Sequence, residues 1–296
     1  MKKTVFTGAG CAIITPMFED GRVNFSALAE LLEFQLANGT DSIVICGTTG
    51  EASALDDNEH LDVIEFACKT VNKRVPVVAG TGSNDTRHAI NLSVEAKNRG
   101  ADALLQVTPY YNKTNQTGLI RHFSAIIDAV GLPTILYNVP SRTGMNIQPK
   151  TYAELAKNPL IVGAKEASGN ISAIAEIAAL CGDELPLYSG NDDQIVPILS
   201  LGGVGVISVL SNVMPQQTHD ICQLFFDGKV KESAALQLKL LPLINALFCD
   251  VNPIPVKEAM NIMGYEAGIC RLPLGTLSGD KQELIKNELR KAGVIA

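Results

Sequence analysis

Short apolar segments alternate with longer amphipathic segments through the first 209 residues of the chain. The segments between the apolar ones show helical periodicity; residues 25–37, for example, place Leu28, Leu31 and Leu32 at or near helical spacing. Repeating strand–helix units of this kind build a parallel sheet. Eight apolar segments of four or five residues predict its strands: 10–14, 42–46, 76–79, 103–107, 134–137, 161–165, 185–188 and 205–209.

Several predicted helices carry their own boundary signals. Asp56 and Glu59 have the spacing of a capping box, and Gly39 and Gly100 stand where a helix commonly ends in a left-handed residue. Eight strand–helix units close naturally into a (β/α)8 barrel, whereas an open doubly wound sheet usually has fewer strands. We therefore predict an α/β protein with a TIM-barrel fold.

The alternation stops after residue 209, and the rest of the chain shows helical patterns. These cover residues 216–226, 230–248, 256–263 and 280–292, and the first of them completes the barrel as its eighth helix. We predict a catalytic barrel over residues 1–228 and a C-terminal helical domain over residues 229–296. The helical domain is expected to cover the barrel or to form an oligomer interface.

Composition and charge narrow the class of protein. Apolar residues make up 46% of the chain, and the net charge of −7 with scattered basic residues argues against nucleic-acid binding. The N-terminus has no apolar leader, and no apolar run is long enough to cross a membrane, so we expect a cytoplasmic protein. Seven dispersed cysteines predict reduced thiols, and four isolated histidines predict no metal site; no cofactor is expected.

Candidate chemistry collects where the predicted strands end. In a barrel of this kind the loops after the strands share one rim, which carries the active site. Seven residues with hydroxyl, phenol or cationic groups lie at or just after the ends of strands two, four, five and six: Thr48, Thr49, Tyr110, Tyr111, Tyr137, Arg142 and Lys165. This concentration favours a catalytic rim.

Lys165 ends a short apolar run and is followed by small residues. Partial removal from water disfavours an ammonium ion, and the neutral amine is the form that attacks carbonyl groups. Lys165 is therefore a candidate Schiff-base nucleophile. The alternative is that its side chain reaches solvent from the strand end and pairs with Glu166.

Imine chemistry on a keto acid also needs a proton relay and a fixed cation for the carboxylate. Tyr137 and Thr48 can pass protons, and Arg142 can bind a carboxylate through two hydrogen bonds. Each has an ordinary alternative: a packing aromatic for Tyr137, a surface residue for Arg142, and a cap or turn for Thr48 and Thr49. Their joint placement favours the catalytic interpretation.

Asp192 and Asp193 follow the seventh strand as adjacent carboxylates. Such a pair suggests a metal site or a glycosidase, but neither residue has a suitably spaced carboxylate partner in the sequence. We predict that they cap the helix that follows.

Three segments resemble the 4-hydroxy-tetrahydrodipicolinate synthase (dihydrodipicolinate synthase) family, within the pyruvate-dependent class I aldolases. They are Gly47-Thr48-Thr49-Gly50-Glu51, Tyr137-Asn138-Val139-Pro140-Ser141-Arg142-Thr143-Gly144 and Gly163-Ala164-Lys165-Glu166-Ala167. The resemblance runs essentially end to end. It implies that Lys165 forms an imine with pyruvate and that Tyr137, Thr48 and Tyr111 form the proton relay, with Tyr111 crossing from a neighbouring subunit.

The resemblance also implies the substrates and the assembly. Arg142 would hold the carboxylate of L-aspartate 4-semialdehyde, while Thr49 and the backbone at Gly190 and Ile207 would orient pyruvate and the intermediates. The product would be 4-hydroxy-tetrahydrodipicolinate, in lysine and diaminopimelate biosynthesis, and the protein would be a lyase built as a tetramer of two tight dimers. Alternatives are N-acetylneuraminate lyase or a 2-keto-3-deoxy sugar acid aldolase of the same superfamily, or a non-catalytic barrel that binds a keto acid or a partner protein.

Many bacterial members of this family bind lysine as a feedback inhibitor at the dimer interface. In the resemblance His88 stands where those members have a carboxylate, which removes a partner for the α-ammonium group of lysine. We predict weak or absent inhibition by lysine. At the positions of the lysine site this chain has Ala52, Asp57, His60, Asn84, His88 and Tyr110. Of these, Asn84, Tyr110 and His60 are the same as in the lysine-binding members.

Overall fold

The computed structural model describes residues 2–296. Its parallel strands pair in chain order, and β8 pairs back onto β1, so the sheet is a closed barrel. The predicted fold class is confirmed, and each predicted strand is present with its ends within two residues of the prediction. The eight strands are β1 (Gly8–Ala12), β2 (Ser42–Ile45), β3 (Val77–Gly80), β4 (Ala103–Val107), β5 (Thr134–Asn138), β6 (Ile161–Glu166), β7 (Leu187–Ser189) and β8 (Gly205–Ser208).

Helices connect the strands and continue beyond the last one. The capping box of Asp56 and Glu59 is present, and Gly39 and Gly100 have positive φ values of 81° and 102°, as predicted. The helices within residues 2–296 are α1 (Phe25–Ala37), α2 (Asp57–Val71), α3 (Thr86–Asn98), α4 (Gln116–Val130), α5 (Pro140–Thr143), α6 (Pro149–Leu155), α7 (Ile171–Cys181), α8 (Ile195–Ser200), α9 (Pro215–Phe226), α10 (Val230–Ala246), α11 (Ile254–Ile262) and α12 (Gly279–Lys291).

The inside of the barrel is filled with apolar side chains. One cluster draws at least one buried residue from every strand, including Val44 of β2, Ile135 of β5 and Ile207 of β8. The ring of Phe6 closes this interior and lies 4.6 Å from the ring of Tyr188 on β7. Because the interior is packed, a site for small molecules has to lie at the rim rather than through the barrel.

The C-terminal helices share a hydrophobic core with the barrel. Leu243 of α10 and Ile285 of α12 are buried in the same cluster as Ala9 of β1 and Ile221 of α9. The predicted domain boundary between residues 228 and 229 falls between α9 and α10 and stays a prediction.

All seven cysteines are free thiols, as expected, and burial raises the pKa of Cys11 to about 12. In the part of the chain that the structure describes, no helix is both long and apolar enough to span a bilayer. The cytoplasmic location stays a prediction.

Candidate active site

Lys165 and Tyr137 face each other inside the rim of the barrel. They are partner positions on the neighbouring strands β5 and β6, and the Nζ atom of Lys165 lies 4.3 Å from the centroid of the Tyr137 ring. An irregularity in the pairing after Thr134 sets this register. Gly163 lies two residues before Lys165, and a Cβ there would stand only 2.9 Å from a ring carbon of Tyr188. The glycine therefore leaves room for the Tyr188 ring beneath the lysine.

The side chain of Lys165 is buried and has no carboxylate partner among residues 2–296. It is 6% exposed, and no aspartate or glutamate of the described chain forms an ion pair with it. Glu166 points to the other face of the strand, because successive residues of a strand alternate between its faces. The alternative in which Lys165 reaches solvent and pairs with Glu166 is therefore not what the structure shows.

Glu166 is satisfied by neutral donors on the helical side of β6. Its carboxyl oxygens accept hydrogen bonds from Asn138 Nδ2 (2.9 Å), the Tyr152 hydroxyl (2.7 Å) and the Ser168 hydroxyl (2.8 Å). Burial raises the pKa of Glu166, and these hydrogen bonds oppose that shift. The adjacent residues Lys165 and Glu166 therefore have separate roles in the fold.

A cavity of about 470 Å³ opens at the rim. Tyr137 lines this cavity and also contacts Lys165, so it connects the cavity with the amine. The cavity continues from the predicted catalytic residues into the predicted regulatory positions. Its lining includes Thr48, Ala52, Asp57, His60, His88, Tyr110, Tyr137 and Arg142.

Arg142 and Thr49 are held by the same residue of the C-terminal region. Arg142 lies on the short helix α5, exposed at the cavity, and its guanidinium donates to the backbone carbonyl of Asn252 (3.1 Å). Thr49 is buried, and its Oγ1 accepts a hydrogen bond from Asn252 Nδ2 (3.0 Å). Asn252 lies between the predicted helical segments 230–248 and 256–263, and nothing local to it in the sequence signals these contacts.

The turn that carries Thr48 and Thr49 packs closely against the end of β2. A Cβ on Gly50 would stand 3.2 Å from the backbone of Cys46 and from the carbonyl oxygen of Ile13. Glycine at this position therefore permits this close approach of the turn to the strand end.

Five of the predicted catalytic and substrate-binding residues do not line the cavity: Thr49, Tyr111, Lys165, Gly190 and Ile207. The backbone N–H of Gly190 is occupied by the carbonyl of Glu166 (2.7 Å), and Ile207 is buried inside the barrel. Tyr111 is 92% exposed and has a φ of +68°, a left-handed conformation that is unusual for an aromatic residue. Within one chain, the structure does not bring Tyr111 to Lys165.

The predicted regulatory positions form their own hydrogen bonds. His88 donates from Nε2 to the Asp57 carboxylate (2.9 Å), and His60 donates from Nε2 to the Gly80 carbonyl (2.8 Å). Burial lowers the pKa of His60, which favours its neutral form. Asn84 does not line the cavity; its carbonyl accepts from Asn112 Nδ2 (2.9 Å).

The prediction that Asp192 and Asp193 cap the following helix is wrong. A short 3-10 turn precedes α8, and no side chain caps either element. Asp192 is buried instead, and its Oδ2 accepts from the backbone N–H groups of Val209 (3.1 Å) and Leu210 (2.9 Å), which ties the end of β7 to the end of β8. Burial raises the pKa of this carboxyl group. Within residues 2–296, no cluster of three potential metal ligands is present.

Comparison with known proteins places the chain in a family. The sequence model of the family described as "Dihydrodipicolinate synthetase family" matches residues 5–292. A relative from Caldicellulosiruptor bescii, named 4-hydroxy-tetrahydrodipicolinate synthase, is 56% identical over 291 residues, which cover 98% of each chain.

Two solved structures are similar over nearly the full length. The chloride-inhibited dihydrodipicolinate synthase of Acinetobacter baumannii, complexed with pyruvate, has a TM-score of 0.96 and 44% identity and covers 98% of this chain and 99% of its own. A dihydrodipicolinate synthase variant described as the first monomeric one has a TM-score of 0.96 and 39% identity and covers 98% of each chain. This chain therefore belongs to the dihydrodipicolinate synthetase family.

Proposed function

We propose that the protein is a Schiff-base-forming lyase that condenses pyruvate with L-aspartate 4-semialdehyde to 4-hydroxy-tetrahydrodipicolinate. This reaction belongs to lysine and diaminopimelate biosynthesis. The observation that carries the proposal is the placement of Lys165, whose buried amine contacts Tyr137 and has no carboxylate partner within residues 2–296. Family membership and the names of the relatives support the same activity.

The first half of the reaction takes place on Lys165. Its neutral amine attacks the ketone carbon of pyruvate and forms a carbinolamine. The carbinolamine oxygen takes a proton, leaves as water, and an imine remains. Tyr137 can donate that proton because a phenol both donates and accepts, and Thr48, which lines the same cavity, offers a second relay oxygen. Loss of a methyl proton then converts the imine to an enamine.

The second half joins the two substrates. The enamine carbon attacks the aldehyde carbon of L-aspartate 4-semialdehyde, and the new alkoxide takes a proton. The amino group of the adduct then displaces Lys165 at the imine carbon, which closes the ring and releases the amine. Arg142 lines the cavity and is suited to hold the semialdehyde carboxylate. Within residues 2–296, only one of its two amino groups donates a hydrogen bond, to the carbonyl of Asn252.

Pyruvate would be oriented by Thr49, Gly190 and Ile207. The N–H of Gly190 is donated to the carbonyl of Glu166, so only the carbonyl oxygen of Gly190 remains, which can accept from the O–H or N–H groups of the carbinolamine and imine intermediates. Ile207 lies inside the barrel, in the apolar cluster that also includes Tyr137.

We also propose that the protein is a homo-oligomer, a tetramer of two tight dimers in which Tyr111 completes the partner's proton relay. The exposed, left-handed Tyr111 supports this proposal, since a strained aromatic residue in open solvent gains nothing within its own chain. Sedimentation velocity over a range of protein concentrations measures the assembly. A monomer that turns over at full rate would contradict the role of Tyr111.

Reductive trapping tests the activity. Borohydride added with pyruvate should attach a stable adduct to Lys165, located by peptide mapping, whereas Lys165→Arg should gain none. Product analysis with L-aspartate 4-semialdehyde and with N-acetylmannosamine then separates the proposed synthase from a sugar acid aldolase, and Arg142→Ala should impair use of the semialdehyde. Absence of the adduct in the wild-type protein would rule out the Schiff-base mechanism.

A further inference from the structure

Asn252 links two residues of the proposed site from outside the barrel. It lies between α10 and α11, yet it is only 6% exposed. Its side-chain amide donates to Thr49 after β2, and its backbone carbonyl accepts from Arg142 after β5. The side chain of Asn252 thus contacts the residue proposed to orient pyruvate, and its backbone contacts the residue proposed to bind the semialdehyde.

The amide of Asn252 determines what the Thr49 hydroxyl can do. A threonine hydroxyl has one hydrogen to donate and two lone pairs to accept with. Because Asn252 Nδ2 donates to Thr49 Oγ1 at 3.0 Å, the hydrogen of the hydroxyl stays free, and within residues 2–296 it is donated to no acceptor. A carboxylate can only accept, so this polarity suits the carboxylate of pyruvate.

The oxygen of the same amide has no partner in this orientation. Asn252 Oδ1 is buried and has no hydrogen-bond partner among the described residues. Such unpaired buried acceptors are uncommon in native structures and call for an explanation. Turning the amide round would let Oδ1 accept from Thr49, but it would consume the hydrogen that pyruvate needs.

We infer that Asn252 is a positioning residue for pyruvate, which acts by keeping the Thr49 hydroxyl a donor. The inference rests on the proposed function. Since Arg142 is held by the backbone of Asn252, a change in the side chain should affect pyruvate and spare the semialdehyde. A merely structural role would instead disturb both subsites together.

The experiment measures KM and kcat for both substrates in the wild-type protein, Asn252→Ala, Asn252→Asp, Thr49→Val and the double variant Thr49→Val/Asn252→Ala. Asn252→Ala should raise KM for pyruvate about tenfold and leave KM for the semialdehyde within about twofold. Asn252→Asp should be worse for pyruvate, because its carboxylate accepts the Thr49 hydrogen and repels the substrate. In the Thr49→Val protein, Asn252→Ala should cause little further loss, since the residue acts through Thr49.

Equal rises in both KM values, or additive losses in the double variant, would overturn the inference. A wild-type KM for pyruvate in Asn252→Ala would overturn it as well. If Asn252→Ala does not fold, the nearly isosteric Asn252→Asp carries the test by the same comparison of the two KM values. Borohydride trapping of pyruvate on the wild-type protein separates the two hypotheses. Failure to trap pyruvate would contradict the proposed function and this inference with it. Successful trapping together with a wild-type pyruvate KM in Asn252→Ala would contradict the inference alone.

Discussion

Two lysines of this protein are buried in different ways. Lys257 of α11 is 1% exposed, and its Nζ lies 2.7 Å from Glu51 Oε1 and also contacts the carbonyl of Ile269. Lys165 is 6% exposed, and it contacts the face of the Tyr137 ring without any carboxylate partner in the described chain. Burial of a charge is costly unless the charge is paired. Lys257 is thus a structural cation, whereas the amine of Lys165 is left available for chemistry.

The paired lysine also helps to hold another part of the proposed site. Glu51 directly follows the Thr48-Thr49-Gly50 turn in the sequence and has a left-handed φ of 55°. Its carboxylate binds Lys257 through one oxygen and the backbone N–H of Arg271 through the other (2.9 Å). The C-terminal helices therefore hold the turn that carries two residues of the proposed site.

The largest effect is expected from Lys165→Ala. Loss of the nucleophile should lower kcat by about 10⁴-fold or more, while the unfolding transition stays close to that of the wild type because no ion pair is broken. Steady-state assays and urea unfolding measure the two quantities. Substantial turnover by this variant would show that Lys165 is not the nucleophile.

Tyr137→Phe removes the phenol and keeps the ring that contacts Lys165. The loss of a positioned proton donor should lower kcat by about 10² to 10⁴-fold. Borohydride trapping at long times should still label Lys165, since the amine remains. Unchanged kcat would assign Tyr137 to packing alone.

Lys257→Met should affect stability more than chemistry. It leaves the Glu51 carboxylate buried without its cation, which typically costs about 3–5 kcal/mol of unfolding free energy. The matched double variant Glu51→Gln/Lys257→Met should recover much of that loss, as urea unfolding can measure. Equal stability of the single variant and the wild type would contradict the role given to this pair.

Glu166→Gln tests a second buried carboxyl group, which lies beside Lys165 in sequence but pairs with no lysine. Burial raises the folded-state pKa of Glu166, so its contribution to stability is full below its unfolded pKa and is lost as pH rises through the folded value. The stability of Glu166→Gln relative to the wild type should therefore rise from about pH 4 toward neutral pH. Unfolding free energies measured across this range test the sign, and a constant difference would contradict it.

The smallest effect is expected from free lysine added to the assay. Asp57, the carboxylate among the predicted regulatory positions, is already bonded to His88, so a lysine ammonium lacks a free anion there. Millimolar lysine should leave the rate unchanged. Strong inhibition would show that this part of the cavity binds lysine in spite of His88.

The helices and strands, and the residues at their ends, could be predicted from local patterns in the amino-acid sequence. Strand and helix patterns are local, so the alternation, the capping box at Asp56 and the position of Lys165 at the end of β6 were all predictable. Roles could be assigned to the rim residues because the strand ends of a barrel lie at one rim and because the sequence resembles the dihydrodipicolinate synthase family.

Contacts between residues far apart in the chain became known from the folded structure. The pairing of β5 with β6 brings Tyr137 to Lys165, and the packing of the C-terminal helices brings Asn252 to Thr49. Asp192 caps no helix, because its carboxylate accepts instead from the backbone N–H groups of Val209 and Leu210, which lie just after β8 and which the barrel brings within reach. Such contacts join residues far apart in the chain, and they depend on strand register and barrel closure, which local patterns do not specify.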